Sequence, residues 1–229
     1  MTRPISEKIN CPGCGHKQKT TIWTSVNADL NPELRDQILD WSFFNSTCEK
    51  CGETRNLIYP FLYHDMRHKF MIRVVLVENE DEFGSELDKL SDEQQSAVET
   101  FSREFPDATR DFQKYRHRAV IGPQELVEKI FIFENGFNDY AIEMLKHTMF
   151  LAIGKKGGAD SIAKMLFDCS SGQPRLVAFM DDGELGTIDF NQKLYDDFVN
   201  LLGDYSADQS GRLQVINQAW ADEFVSSLS

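Results

Sequence analysis

Two short cysteine-containing stretches decide the N-terminal fold: residues 11–15 read CPGCG, and residues 48–52 read CEKCG. In each stretch two residues separate the cysteines, and a glycine follows the second one. Such a turn delivers two thiolates to one side of a metal ion, and the glycine can leave it in the left-handed backbone conformation. The doubled pattern predicts one structural Zn²⁺ with four ligands: Cys11, Cys14, Cys48 and Cys51.

Other uses of the cysteines stay open. Two pairs of buried, metal-free cysteines are one alternative, and dithiol redox chemistry at Cys11 and Cys14 is another. A redox pair should open a helix whose positive end lowers the thiol pKa, whereas the residues after Gly15 have a strand pattern. The fifth cysteine, Cys169, has no evident partner in the sequence. We expect it to be a small buried side chain rather than a nucleophile.

The region around the cysteines has the pattern of a β module. The runs 19–26 and 54–60 are rich in β-branched and aromatic residues, which favour strands, and each cysteine pair is expected to open a hairpin. The 33 residues between Cys14 and Cys48 exceed the usual gap of about 15 to 20 in zinc modules. A helix over residues 31–39, with Asn31 as its cap and Pro32 in its first turn, accounts for the surplus.

The rest of the chain alternates strand and helix patterns. Residues 70–77 and 115–121 are predicted strands, separated by a polar, acidic stretch that allows a helix. Later segments predict two helices and then a small antiparallel sheet between residues 161 and 190. Two helices are predicted after the sheet, and Asn191 is the expected N-cap of the first of them. The predicted fold class is α+β: a zinc-ribbon-like β module with an inserted helix, then an antiparallel sheet with helices. The expected domains are residues 1–77, an acidic helical connector at 78–112, and an acidic α/β region at 113–229.

Charge is unevenly distributed along the chain. Residues 1–75 carry ten Lys and Arg against eight Asp and Glu, whereas residues 76–229 carry fourteen against twenty-nine. Nucleic-acid binding normally needs a basic surface, so this balance argues against it. Four aromatic residues could nevertheless stack on bases: Trp23, Trp41, Phe43 and Phe44. The apolar stretches are short and interrupted by charges, and the N-terminus lacks an apolar signal run. We therefore expect a cytoplasmic protein without a membrane span.

A second polar cluster is visible at His64, Asp65 and His68. On a helix the two histidines could face one ion, although the H-E-x-x-H pattern of zinc proteases is absent. We favour the interpretation that this segment closes the metal module onto the next strand. An enzyme using His64, Asp65 or His117 in a pocket between the N-terminal and C-terminal regions remains an alternative.

The chain resembles the bacterial CpXC family, named for its Cys-Pro-x-Cys motif. The resemblance runs through both cysteine pairs, the insertion at 31–39 and the tract at 59–66, and the segment 125–143 resembles longer members. Glu49 stands where a second proline is expected, a departure that leaves all four cysteines in place. The resemblance implies the metal site and carries no activity with it.

The leading hypothesis from the sequence is therefore a zinc-stabilised cytoplasmic adaptor that binds another protein. The enzyme described above is the second hypothesis, and a nucleic-acid-binding zinc ribbon is the third. The sequence names neither a substrate, nor a particular partner, nor an oligomeric state.

Overall fold

The computed structural model describes residues 2–77, 79–154, 162–203 and 211–227. The chain divides into two units: Met1–Val127 with Ser210–Leu213, and Glu128–Gln209 with Gln214–Ser229. Helices and strands are mixed in both units, which confirms the predicted α+β class. The domain boundaries after residues 77 and 112 stay a prediction. Within the described residues, no helix combines the length and the apolar composition needed to cross a bilayer.

The first unit is built on a six-stranded sheet with the order β1-β2-β5-β6-β7-β11. Its strands are β1 (Arg3–Asn10), β2 (Lys17–Asn27), β5 (Phe61–Asp65), β6 (Phe70–Val75), β7 (Arg116–Ile121) and β11 (Leu213–Gln214). A separate hairpin pairs β3 (Asn45–Thr47) with β4 (Thr54–Asn56). Strand β4 is shorter than the predicted run 54–60, because residues 57–60 leave the hairpin as extended chain outside any strand.

Two of the pairings in this sheet are parallel, β2 with β5 and β6 with β7. Parallel neighbours need a crossover connection, and both crossovers contain helix. The first contains α1 (Pro32–Leu39) and the β3–β4 hairpin, and the second contains α2 (Glu80–Glu104) and α3 (Pro106–Phe112). The helical character predicted for the acidic stretch is therefore confirmed.

The inserted helix α1 lies where the sequence predicts it, with Pro32 in its first turn and Leu34 and Ile38 buried. The cap differs from the prediction. Asn31 occupies the N-cap position, but its side chain makes no capping hydrogen bond and instead donates to Glu33 Oε1 at 2.8 Å. The Asn31 NH₂ group is directed at the Glu33 carboxylate, and its Oδ1 accepts no backbone N–H of the first turn, so the predicted capping hydrogen bond was wrong.

Several aromatic side chains pack together in this unit. The ring of Phe43 lies 5.1 Å from that of Phe44 and 5.2 Å from that of Phe61, centroid to centroid. All three rings are buried, and Tyr59 packs against the same group. These phenylalanines are therefore core residues and not an exposed stacking surface.

The second unit contains helices around a three-stranded antiparallel sheet. Its strands are β8 (Ile162–Asp168), β9 (Arg175–Met180) and β10 (Leu185–Asp189), in the order β10-β9-β8. Its helices are α4 (Gly122–Glu134), which begins in the first unit, α5 (Asp139–Gly154), α6 (Gln192–Leu202) and α7 (Gln218–Ser227). The predicted cap of α6 is confirmed, because Asn191 Oδ1 accepts a hydrogen bond from the Leu194 N–H at 3.0 Å.

Candidate metal centre

The two cysteine turns have the same backbone construction. In the first, the Cys11 N–H donates to the His16 carbonyl at 2.8 Å, and the Gly15 N–H donates to the Cys11 carbonyl at 2.8 Å. In the second, the Cys48 N–H donates to Glu53 and the Gly52 N–H donates to Cys48, both at 2.9 Å. Two unrelated stretches of chain thus close the same five-residue knuckle.

The glycine that follows each pair is required by this geometry. Gly15 has φ +69° and Gly52 has φ +73°, in the left-handed region that strains residues with a Cβ. Each knuckle forms the turn of a hairpin, between β1 and β2 and between β3 and β4. The predicted hairpins are confirmed, and strand β2, rather than a helix, follows the first pair. The redox alternative therefore lacks the helix that it requires.

The two knuckles bring the four sulfur atoms together in one group, which we call the sulfur cluster: Cys11, Cys14, Cys48 and Cys51. Every Sγ lies within 4.8 Å of every other. Two contacts cross between the knuckles, one from Cys11 to Cys51 and one from Cys14 to Cys48, each at 3.7 Å. Around a tetrahedral Zn²⁺ with Zn–S bonds of about 2.3 Å, adjacent sulfurs stand about 3.8 Å apart. The sulfur cluster therefore fits a four-coordinate metal ion.

The electrostatics of the sulfur cluster are uneven. The backbone N–H groups of Cys51 and Lys50 stabilise the Cys48 thiolate. They outweigh the opposing effect of burial and lower the pKa of Cys48 to about 6. The Glu53 N–H favours the Cys51 thiolate, but the sulfurs of Cys48 and Cys14 outweigh it and raise the pKa of Cys51 to about 12. Four thiolates cannot accumulate here alone, because each added negative charge opposes the next. A bound dication would remove that opposition.

A side chain outside the knuckles joins the two hairpins. Gln18, on β2, donates from Nε2 to the Thr47 carbonyl at 3.0 Å and accepts from the Glu49 N–H at 2.9 Å. One amide therefore satisfies two backbone groups of the second knuckle from the first hairpin. This contact is not predictable from the sequence, because it depends on which strand faces the second knuckle.

The family model described as CpXC protein matches residues 9–146 of the chain, more than half of its length. The chain belongs to the CpXC family. No curated protein and no solved structure shows significant similarity to it. The matched segment includes all four cysteines of the CpXC protein, as well as the segment 125–143 that resembled longer members.

The other predicted polar cluster does not form as a helical pair. His64 lies in strand β5, whereas His68 lies in the turn before β6. Asp65 is buried and accepts from the His68 N–H at 2.7 Å, and its second oxygen lies 2.8 Å from His68 Nδ1. The Asp65–His68 contact closes the turn between two strands of the CpXC protein, which supports the interpretation that this segment joins the module to the next strand.

Two residues named for the enzyme alternative, His64 and His117, both lie beside Tyr115, with ring centroids 5.3 Å and 6.5 Å from its ring, but their polar contacts differ. His64 Nδ1 lies 3.3 Å from the Asn27 side-chain amide, and burial lowers the pKa of His64. His117 Nε2 donates to the Phe112 carbonyl at 3.2 Å and lines a cavity that neither His64 nor Asp65 lines. Cys169 is buried, as expected, and burial raises the pKa of its thiol. A buried thiol held in its neutral form is a poor nucleophile.

Sequence reasoning missed a second concentration of charge, in the second unit of the CpXC protein. Five ionisable side chains on α4 and α5, which we call the ionic cluster, are almost completely buried: Glu128, Lys129, Asp139, Glu143 and Lys146. The only signal was the spacing of Glu143 and Lys146, three residues apart within an apolar helix.

The ionic cluster is paired internally. Lys146 Nζ lies 2.9 Å from carboxylate oxygens of both Glu128 and Glu143. Lys129 Nζ lies 3.3 Å from Glu143 and 3.4 Å from Asp139. Burial alone would lower the pKa of Lys146, but the carboxylates of Glu128 and Glu143 outweigh it and raise that pKa. Lys146 is therefore held in its charged form inside the unit.

Proposed function

We propose that this CpXC protein is a zinc-stabilised binding protein: one structural Zn²⁺ on Cys11, Cys14, Cys48 and Cys51 holds its N-terminal ribbon, and its partner is another protein. The sulfur cluster carries the proposal. Its crossing Sγ–Sγ distances of 3.7 Å match the edge of a ZnS₄ tetrahedron. Four thiolates fill the coordination sphere and leave no open position for substrate or water, which catalytic zinc requires.

The choice of zinc rests on the donor set. Thiolates in a tetrahedral arrangement are typical of zinc or of iron–sulfur centres, and two symmetric knuckles with one ion are typical of zinc ribbons. Such a site is best maintained where thiols stay reduced, so we place the protein in the cytoplasm.

The proposal of a protein partner rests on exposed apolar side chains beside a hydrogen-bonded contact between two loops. Asp29 Oδ2 accepts hydrogen bonds from the backbone N–H groups of Met66, at 2.6 Å, and Arg67, joining two loops of the first unit. Leu30, 59% exposed, and Met66, 39% exposed, flank this contact. Apolar side chains held in place at the surface favour a protein interface.

Capture with a chemical cross-linker tests the partner. The full chain would be compared with a Leu30→Ser, Met66→Ser double variant and with a control double variant, Leu185→Ser and Leu201→Ser, which removes two other exposed leucines. We expect one specific protein to be captured by the wild type and the control and lost from the first variant, with equal zinc content in all three. Capture of nothing specific, or turnover of a small molecule by the purified protein, would contradict the proposal.

A further inference from the structure

The first unit contains a cavity of about 460 Å³ between its sheet and the helices of the second crossover. Leu62 and Met71 line it from the strands, Ala97 and Val98 from α2, and Phe112 from the end of α3. This volume lies within the range of about 300–1,000 Å³ that is typical of small-molecule sites. The walls are mostly apolar, so a ligand would place carbon against them.

Most hydrogen-bond donors at the cavity wall are already used. Gln94 donates to the Gly211 carbonyl at 2.5 Å, and Thr109 donates to the Phe105 carbonyl at 3.1 Å. His117 donates to Phe112, as described above. Arg118 donates to the His117 carbonyl at 3.0 Å. These contacts hold the wall together, and their donors are directed at the backbone.

Arg73 is different. It lies on β6 opposite Leu62 and lines the cavity, and among the described residues its guanidinium has no hydrogen-bond or ion-pair partner. Burial lowers the pKa of Arg73, against the opposing effect of the Glu93 carboxylate. Glu93 lines the same cavity but is exposed to solvent on α2. A half-buried cation thus stands in a mostly apolar cavity, where the solvent-exposed Glu93 carboxylate acts on it without forming an ion pair. Its burial costs solvation energy that an anion can restore.

We propose that this cavity binds a small monocarboxylate with an apolar tail, with the carboxylate on Arg73 and the tail among Leu62, Met71 and Phe112. A guanidinium holds a carboxylate through two parallel N–H···O bonds. Arg73 is the cation offered to the ligand, because Arg118, which also lines the cavity, is buried and donates to the His117 carbonyl. Glu93 lies nearby, and the chain carries a net charge of −13. Ligands with a second negative charge are therefore disfavoured.

The test uses octanoate with the full-length, zinc-loaded chain, followed by isothermal titration calorimetry. 1-Octanol is the neutral comparison with the same tail. We expect octanoate to bind saturably with one site per chain and at least about tenfold more tightly than 1-octanol, since only the carboxylate meets the guanidinium. No saturable binding of octanoate, or equal binding of the two compounds, would overturn the proposal.

Two pairs of variants locate the site. Arg73→Met removes the cation, and Arg67→Met is its control because Arg67 is exposed and does not line the cavity. Octanoate affinity should fall at least about tenfold in the first and stay unchanged in the second. Ala97→Trp places an indole at the cavity wall, whereas Ser96→Trp adds one to the adjacent exposed position.

Octanoate binding should be lost in Ala97→Trp and kept in Ser96→Trp. Because Ala97 is exposed on α2, its substitution tests the site even if Arg73→Met fails to fold. Undiminished binding in a folded Arg73→Met variant or in Ala97→Trp would contradict the assignment. The zinc proposal is independent of these outcomes, since metal content is measured separately in each variant.

Discussion

The sulfur cluster and the ionic cluster concentrate polar chemistry in opposite ways. The ionic cluster brings two lysines to three carboxylates, so most of its charge is compensated within the chain. The sulfur cluster brings together four groups that become anions, and Arg55, the cation that interacts with Cys11 and Cys51, is itself paired with Glu53. Buried charge needs partners, and the chain provides them in one unit and leaves them to an added ion in the other. The first unit should therefore depend on metal, and the second should not.

Metal removal should produce the largest difference in stability between the first and the second unit. Zinc binding to four-ligand sites in peptides contributes about 10–16 kcal/mol at neutral pH, comparable with the stability of a domain. After chelation, the N–H groups of Gly15 and Gly52 should lose protection from hydrogen exchange, because their hydrogen bonds close the knuckles. Protection of amides in α5 should persist. Unchanged protection of the knuckle amides from hydrogen exchange in the metal-free protein would contradict the expected difference between the two units.

Substitution of a lysine in the ionic cluster should produce the second-largest effect on stability. Lys146→Met leaves Glu128 and Glu143 buried without their shared cation, so the free energy of unfolding should fall by about 3–5 kcal/mol. Lys193→Met is the matched control, because Lys193 pairs with Asp197 on an exposed helix face. We expect no measurable change there in urea denaturation. Equal effects of the two substitutions would show that the ionic cluster is not a stabilising network.

A smaller effect should follow from the backbone of the knuckles. Gly52→Ala places a Cβ at φ +73°, where no atom lies within 4 Å, so the cost is backbone strain of about 1–2 kcal/mol. Zinc affinity should fall about tenfold, as measured by competition with a chromophoric chelator. Gly84→Ala is the control. Gly84 lies inside α2 with open space around its Cα and should be slightly stabilised by alanine.

The pH dependence of one ion pair should give the smallest effect. Although burial opposes it, hydrogen bonds from Ser170 and Arg175 hold the pKa of Asp168 below its usual value. This contribution is present above the unfolded-state pKa of about 3.9 and disappears as pH falls through the folded-state value. Asp168→Asn should therefore lower unfolding free energy by about 0.5–1 kcal/mol at pH 7 and by progressively less below pH 4. A difference that does not vary with pH would contradict this assignment, with urea unfolding at several pH values as the measurement.

Local features of the fold were predictable from the sequence. The knuckles follow from cysteine and glycine spacing, and Asn191 caps α6 because its partner lies three residues away. Asn31 shows the limit even of local reasoning, because it occupies the N-cap position without its side-chain oxygen accepting a capping hydrogen bond.

Features that depend on distant residues were not predictable. The parallel pairing of β6 with β7 joins segments more than forty residues apart in sequence, and no pattern within either strand specifies its neighbour. The same holds for the ionic cluster, whose lysines resemble surface residues until α4 and α5 are packed. The position of Arg73 in a mostly apolar cavity, without a hydrogen-bond or ion-pair partner among the described residues, likewise becomes visible only when the cavity around it is assembled.

Elemental analysis of the purified wild type beside a Cys48→Ser variant tests the central claim most directly. Cys169→Ser is the control, because Cys169 is buried outside the sulfur cluster. We predict one zinc per chain in the wild type and in Cys169→Ser, and loss of zinc with disruption of the knuckles in Cys48→Ser. A folded, metal-free wild type with four titratable thiols in the sulfur cluster, or a Cys48→Ser variant that retains its zinc, would contradict the account.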